Sequence, residues 1–303
     1  MPELPDILAY LEALEPRVRN QPLEEIRLTS PFVLRSVDPP LSSATGKVVI
    51  SLRRVGKRVV FCLEDELFLI VHLMIAGRFH WKEGNRSKSN RQTLASFVFP
   101  TGTLSLTEAG SKKRASIYLA KGESSLAVHD PGGLEVIDAS LESFKERLVK
   151  ENHTLKRALT DPHFFSGIGN AYSDEILHAA GLSPLKLTSK LDDEEVERLY
   201  QAVQAILRFW VEKLSREAKE SFPEKVTAFR EEMAVHGKYG KPCPKCGTTV
   251  QRIVYAANES NYCPTCQTGG RLLADRALSQ LLKQDWPRTL EEMEQRLGNR
   301  SGG

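Results

Sequence analysis

The chain has 303 residues, of which 41% are hydrophobic and 27% charged, a composition typical of a globular protein long enough for two domains. No apolar run approaches the ~20 residues that cross a bilayer, and no secretion signal opens the chain, so we expect a cytoplasmic, nucleoid-associated protein. The net charge of +3 says little about partners. Basic residues nevertheless cluster at 47–60 and 236–252. Such clusters indicate either a surface that binds a polyanion or an ordinary solvent-exposed face.

The first residues, Met-Pro-Glu, offer a candidate nucleophile. Met1 before a small residue is usually removed, which leaves Pro2 with a free secondary amine. The apolar spacing from Leu4 to Leu14 predicts a helix, with Pro5 near its first position. Because Pro and Glu are common at helix starts, Pro2 and Glu3 taken alone also fit an ordinary helix start.

Residues 24 to 129 contain short β-branched and aromatic runs separated by turn residues. About eight strands in one block predict a sandwich or a partly open barrel. The turn signal Asp130-Pro-Gly-Gly marks a domain boundary, after which the periodicity becomes helical. The longest helix is predicted to begin near Asp192, which has capping-box spacing with Glu195. The fold class is therefore α+β.

A glycine-rich turn, Gly167-Ile-Gly-Asn170, separates two predicted helices, the second of which ends at Gly181. Such a turn can present backbone N–H groups at a helix N-terminus to a phosphate. It can equally be a plain helix-hairpin connection.

Four of the five cysteines form two Cys-x-x-Cys pairs with sixteen residues between them, namely Cys243, Cys246, Cys263 and Cys266. This spacing is typical of a tetrahedral four-thiolate zinc site, which is closed by protein ligands and therefore structural. Two disulfides or an iron–sulfur cluster are the alternatives. Cys62 lies in an apolar run and is predicted to be a buried thiol without a chemical role.

Taken in order, these motifs resemble the bacterial formamidopyrimidine-DNA glycosylases and endonuclease VIII enzymes, which are bifunctional repair glycosylases of helix–two-turn–helix fold. The resemblance covers Pro2 to Cys266. It rests on PELP, RRVGKRVV, HLMIAGRF, GIGNAYSDEIL and the four-cysteine finger. It implies a monomeric enzyme that acts on damaged DNA and holds one structural Zn²⁺.

The resemblance also implies roles for individual residues. Pro2 would attack the sugar C1′ of a damaged nucleotide, Glu3 would act as acid and base, and Lys57 would lie near a lesion-flanking phosphate. A terminal amine suits this role, because its reference pKa of roughly 8 lies well below that of lysine. The predicted DNA contacts are His72, Met74, Lys113, Arg114, Lys156, Asn170, Lys238, Arg252 and Asn258, with Ile75 as the alternative to Met74. Lys57 could instead be a surface cation on a strand edge, and His72 could be a satisfied strand histidine.

This chain departs from the family pattern at several places. Asp6 stands where a glutamate is usual, and Asn258 stands where the finger normally carries an arginine. The loop Glu108–Ser116 has no aromatic residue for insertion into the base stack, and residues 221–237 are short for a loop that covers a flipped purine. Residues 267–303 extend beyond the last cysteine and include a predicted amphipathic helix at 271–286.

We predict a catalytic β-sandwich domain at 1–130, a helical DNA-binding domain at 131–235, a zinc finger at 236–268 and a helical extension at 269–303. The predicted function is a DNA glycosylase with abasic-site lyase activity that excises oxidised or ring-opened bases. The alternatives are a non-catalytic damaged-DNA or RNA-binding protein of the same fold and, less directly, a zinc-ribbon interaction protein.

Overall fold

The computed structural model describes residues 1–84, 91–110, 112–255, 258–274 and 287–298. The chain divides into two compact units. The first unit comprises residues 1–133 and 207–227, and the second comprises the described parts of 134–206 and 228–303. Most of the predicted helix at 271–286 lies outside the described residues.

The first unit begins with helix α1 (Leu4–Val18), as the apolar spacing predicts. Among the described residues of this unit, eight strands follow: β1 (Glu25–Leu28), β2 (Val49–Val55), β3 (Arg58–Leu63), β4 (Leu67–His72), β5 (Gly77–Glu83), β6 (Thr93–Phe99), β7 (Gly102–Glu108) and β8 (Ser116–Lys121). A short helix, α2 (Glu123–Ala127), comes after them. The predicted number of strands is therefore confirmed.

The strands form two antiparallel four-stranded sheets, ordered β1-β6-β7-β5 and β2-β3-β4-β8. One hydrophobic core contains side chains from both sheets and from α1, among them Tyr10, Phe61 and Phe97. This arrangement is a β-sandwich, because two sheets that each have one apolar face must bury those faces together. The opposite face of the second sheet carries a smaller cluster around Val60, Cys62 and Ile70.

The second unit begins with the helices α3 (Leu141–Val149), α4 (Leu155–Thr160), α5 (Asn170–Ala180) and the first part of α6 (Asp193–Glu220). Asp192 and Glu195 form the predicted capping box, since each side chain accepts the other residue's backbone N–H, at 2.8 and 3.2 Å. Helix α5 ends at Ala180, and Gly181 is its C-cap with a left-handed φ of +66°, so the predicted end of this helix at Gly181 is confirmed.

The finger consists of β9 (Gln251–Tyr255), which pairs antiparallel with β10 (Asn258–Tyr262), and the short helix α7 (Pro264–Thr268). Beyond it the structure describes one further helix, α8 (Leu290–Gly298). None of the described helices combines the length and apolar character that crossing a membrane requires.

Candidate DNA-repair site and metal centre

The start of the chain is buried and tightly held. Glu3 is the N-cap of α1 and is only 2% exposed, although it carries a carboxyl group. Its backbone N–H donates to Asp6 Oδ2 at 2.9 Å. Asp6, which differs from the usual glutamate, therefore has a local role, because its short carboxylate caps the first turn of the helix.

The terminal amine lies in a mixed electrostatic environment. Burial lowers the pKa of the Met1 α-amino group. The Glu3 and Asp6 carboxylates oppose this shift, and the positive charges of Arg78 and Lys57 add to it. An amine with a lowered pKa is neutral, and so nucleophilic, in a larger fraction of molecules at neutral pH.

Lys57 lies in the two-residue turn between β2 and β3, after Gly56 with φ +57°. It is half-buried. The neighbouring Arg58 has a buried Nε atom without a hydrogen-bond partner among the described residues. Lys57 and Arg58 are thus two adjacent cations, and the Arg58 Nε–H group could donate a hydrogen bond to a bound anion.

His72 lies at the end of β4 and pairs with Arg58 across the sheet. Burial, with smaller contributions from the charges of Arg58 and Lys57, lowers the pKa of His72 to about 4. The imidazole is therefore neutral at physiological pH. Any contact that His72 makes with a phosphate is then a neutral hydrogen bond rather than an ion pair.

The turn after His72 has a constrained backbone. Met74 has a φ of +53°, and the Gly77 N–H donates to Leu73 O at 2.9 Å. A Cβ atom on Gly77 would lie 2.2 Å from Leu73 O, so only glycine fits. Met74 is half-buried, whereas the neighbouring Ile75 is 56% exposed.

Arg78 holds this turn, and the sequence motifs did not identify it as a site residue. Its guanidinium donates to Gly77 O at 2.6 Å, to Ile75 O at 3.2 Å and to Val226 O. Arg78 also acts electrostatically on the terminal amine. It therefore links the chain start to the turn that carries Met74.

The cationic loop between β7 and β8 is anchored at its base. Glu108 is 1% exposed, and its Oε2 accepts the backbone N–H groups of Arg114 and Ala115 at 2.8 and 3.0 Å. Lys113 Nζ donates to the Glu108 carbonyl oxygen. Lys113 and Arg114 are exposed, so the loop presents positive charge from a fixed base.

The glycine-rich turn brings Lys156 and Asn170 together. Lys156 Nζ donates to Asn170 O at 2.7 Å, and Asn170 Nδ2 donates to the Glu259 carbonyl oxygen of the finger at 2.6 Å. The pair therefore lies at the N-terminus of α5, where backbone N–H groups and the helix dipole favour an anion.

Two buried carboxylates of α5 join the helix to the finger region. Asp174 accepts hydrogen bonds from Lys156 Nζ at 2.5 Å, His236 Nδ1 at 2.8 Å, Ser260 Oγ at 2.8 Å and Asn261 N at 3.0 Å. Although burial opposes the shift, Lys156 and His236 hold the pKa of Asp174 below its usual value. Glu175 accepts three backbone N–H groups, from Ala234, Val235 and His236, at 2.7 to 2.9 Å. These partners were not predicted.

The four finger cysteines converge on one point. Their sulfur atoms all lie within 4.8 Å of one another. Between the two Cys-x-x-Cys pairs, the Sγ–Sγ distance is 4.0 Å for Cys243 and Cys266 and 3.4 Å for Cys246 and Cys263. A tetrahedral zinc–thiolate site, with Zn–S of about 2.3 Å, requires sulfur separations of about 3.8 Å. The sulfurs are too far apart for disulfides, and the cluster fits a zinc ion.

The remaining predicted DNA contacts lie on or beside the finger. Arg252 stacks over Tyr239, with its guanidinium carbon 4.4 Å from the ring centre, and pairs with Glu259 at 2.9 Å. Its charge is thus partly neutralised and its orientation fixed. Lys238 is half-buried. The predicted contact of Asn258 depends on a side chain outside the described part of the structure.

Comparison with known proteins gives a consistent result along the chain. Family models match the formamidopyrimidine-DNA glycosylase N-terminal domain at residues 1–130, its H2TH domain at 133–220, and a zinc finger found in FPG and IleRS at 240–269. The formamidopyrimidine-DNA glycosylase of Heliobacterium modesticaldum is 30% identical over 281 residues, which cover 88% of this chain and 100% of that protein. A formamidopyrimidine-DNA glycosylase-like protein of Mycobacterium tuberculosis is 40% identical over 152 residues, covering 50% of this chain and 94% of that protein.

Solved structures with the same fold include complexes with DNA. A variant of the Lactococcus lactis FPG bound to DNA containing Fapy-dG superimposes with a TM-score of 0.77 at 25% identity, covering 88% of this chain and 100% of that one. The Lactococcus lactis enzyme bound noncovalently to DNA containing an AP site gives a TM-score of 0.76 at 25% identity, covering 88% and 99%.

Proposed function

Because the chain belongs to the formamidopyrimidine-DNA glycosylase family, we propose that it is a base-excision repair glycosylase with abasic-site lyase activity and that Pro2 is its nucleophile. The observation that carries this proposal is the chain start. Before Met1 is removed, burial lowers the pKa of its α-amino group, which lies within the electrostatic reach of Glu3, Arg78 and Lys57. Removal of Met1 would place the Pro2 amine near the same charges. A plain helix start needs none of these features.

The proposed chemistry begins after removal of Met1. The lone pair of the Pro2 nitrogen attacks C1′, and the bond between C1′ and the damaged base breaks. The electron pair of that bond leaves on the base, which takes up the proton that the nitrogen gives up. Glu3 donates a proton to the sugar ring oxygen, the ring opens, and the nitrogen loses its proton as an iminium forms. Removal of a C2′ proton then expels the 3′ phosphate, which nicks the strand. A secondary amine suffices for this sequence, because an iminium needs no further N–H.

We propose that two anion-binding regions hold the DNA. In the first unit, Lys57 and His72 bind lesion-flanking phosphates, and the unsatisfied Nε of Arg58 makes it a further candidate. In the second unit, Lys156 and Asn170 bind phosphate at the start of α5. Met74, Lys113 and Arg114 fill or flank the space that the flipped base leaves. Lys238, Arg252 and Asn258 contribute from the finger.

We also propose that one zinc ion per chain is structural, since four cysteine ligands leave no open coordination position for water. Metal analysis should find one equivalent of zinc. The Cys263→Ser protein should lose zinc and bind DNA more weakly while the β-sandwich stays folded. We expect the protein to act as a monomer, with the domain limits predicted from the sequence.

The proposal is tested with single-turnover assays on a duplex that contains an oxidised pyrimidine. Wild-type protein should release the base and nick the strand. The Glu3→Gln protein should bind the same duplex but release the base at least about 100-fold more slowly, as loss of a general acid requires. Binding without base release by the wild-type protein, over a panel of oxidised and ring-opened bases, would instead support the non-catalytic alternative.

A further inference from the structure

His178 lies on the last turn of α5 and faces the four-cysteine cluster. Its Nε2 atom is 3.2 Å from Cys243 Sγ. The histidine is 6% exposed and the cysteine 2% exposed, so the contact is shielded from water. No motif in the sequence pointed to this residue.

The end of α5 is also held against the second pair of cysteines, Cys263 and Cys266. Gln267 accepts the Cys263 N–H at 2.8 Å and donates to Leu182 O at 2.9 Å. Gly181 leaves so little room that a Cβ atom there would lie 3.3 Å from Cys266 O. The packing of this helix end therefore fixes the position of the His178 ring against the Cys243 sulfur.

The chemistry of a metal-bound cysteine fixes the direction of this hydrogen bond. A cysteine that ligates a metal is a thiolate and can only accept. The ring nitrogen that faces it must then carry the proton. Hydrogen bonds of this kind orient metal ligands and contribute to affinity.

We propose that His178 is a positioning residue of the metal centre, which donates its Nε2–H to the Cys243 thiolate and thereby slows the loss of zinc. The proposal concerns the finger alone and does not depend on glycosylase activity. A merely space-filling histidine would be replaceable by any side chain of similar size.

The first test measures the rate of zinc release to a colorimetric chelator from purified full-length protein. The His178→Phe protein keeps the ring but has no donor and should release zinc about 10-fold faster or more. The His178→Gln protein has an amide N–H at a similar reach and should release zinc near the wild-type rate. The matched control is His153→Phe, because His153 is a half-buried histidine of the same unit whose ring contacts the Glu151 carboxylate at 3.0 Å and lies in none of the cysteine contacts described.

The second test needs no variant, so it remains decisive if a substituted protein does not fold. Long-range proton–nitrogen NMR of the zinc-loaded wild-type protein reports which ring nitrogen is protonated. The proposal requires the proton of His178 on Nε2. A proton on Nδ1 alone, or wild-type zinc release from a folded His178→Phe protein, would overturn it.

Discussion

At the scale of single residues, the fold sets the protonation of two groups in the first unit. Burial is the main cause of the lowered pKa of the Met1 α-amino group and of the pKa of about 4 for His72, and the nearby charge of Lys57 adds to both shifts. These shifts depend on groups that only the fold brings near.

His72 gives a testable pH dependence of stability. Its pKa is about 4 in the folded chain and about 6.5 when unfolded, so the unfolded state binds more protons between these values. The stabilisation of the folded state by the neutral His72 ring is therefore complete above pH 6.5 and is lost as the pH falls toward 4. When the pH falls from 7 to 4.5, the free energy of unfolding of the wild type should decrease by roughly 2 kcal/mol more than that of the His72→Gln protein. Urea denaturation at the two pH values measures this, and equal losses would contradict the buried, neutral histidine.

At the scale of elements, the predicted strands, the capped long helix and the glycine-terminated α5 are confirmed, because each depends on local periodicity or turn chemistry. The partners of α5 could not be predicted. Asp174 meets His236, Ser260 and Asn261, which lie 62 to 87 positions further along the chain. Long-range pairing of this kind leaves no periodic signal in the sequence.

The Asp174 network predicts a large and specific stability effect. Asp174→Asn preserves size but removes the charge that balances Lys156 and His236. Because the carboxylate is fully buried, we expect a loss of about 3–5 kcal/mol in unfolding free energy of the second unit. The matched control is Asp193→Asn, which breaks a lysine–aspartate pair of similar length, 2.6 Å, on an 88% exposed side chain. It should cost at most about 1 kcal/mol. Similar losses in the two proteins would refute the role of the network.

At the scale of the whole molecule, the substrate preference follows from what the loops present. The loop anchored by Glu108 carries exposed Lys113 and Arg114 and has no aromatic residue. Cationic side chains favour phosphate contact over reading of the orphaned base. Discrimination by the opposite base should then be weak, and the short segment 221–237 should cover a flipped purine poorly.

We therefore predict faster cleavage of abasic sites, oxidised pyrimidines and ring-opened bases, and of lesions in bubble or single-stranded DNA, than of 8-oxoguanine opposite cytosine in a duplex. Single-turnover rates at one salt concentration provide the comparison, since phosphate-dominated binding depends steeply on ionic strength. Fastest cleavage of 8-oxoguanine opposite cytosine, with strong rejection opposite adenine, would show that these loops have been misinterpreted.

The central claim, that the terminal proline is the nucleophile, is tested most directly by reduction of the covalent intermediate. The full-length protein is incubated with abasic DNA and borohydride, and the adduct is located by peptide mass spectrometry. Because an iminium forms only at the attacking nitrogen, we predict one stable adduct on Pro2 of a chain that lacks Met1, and its loss when Met1 is retained. An adduct on Lys57, or none at all while the strand is still cut, would contradict the account.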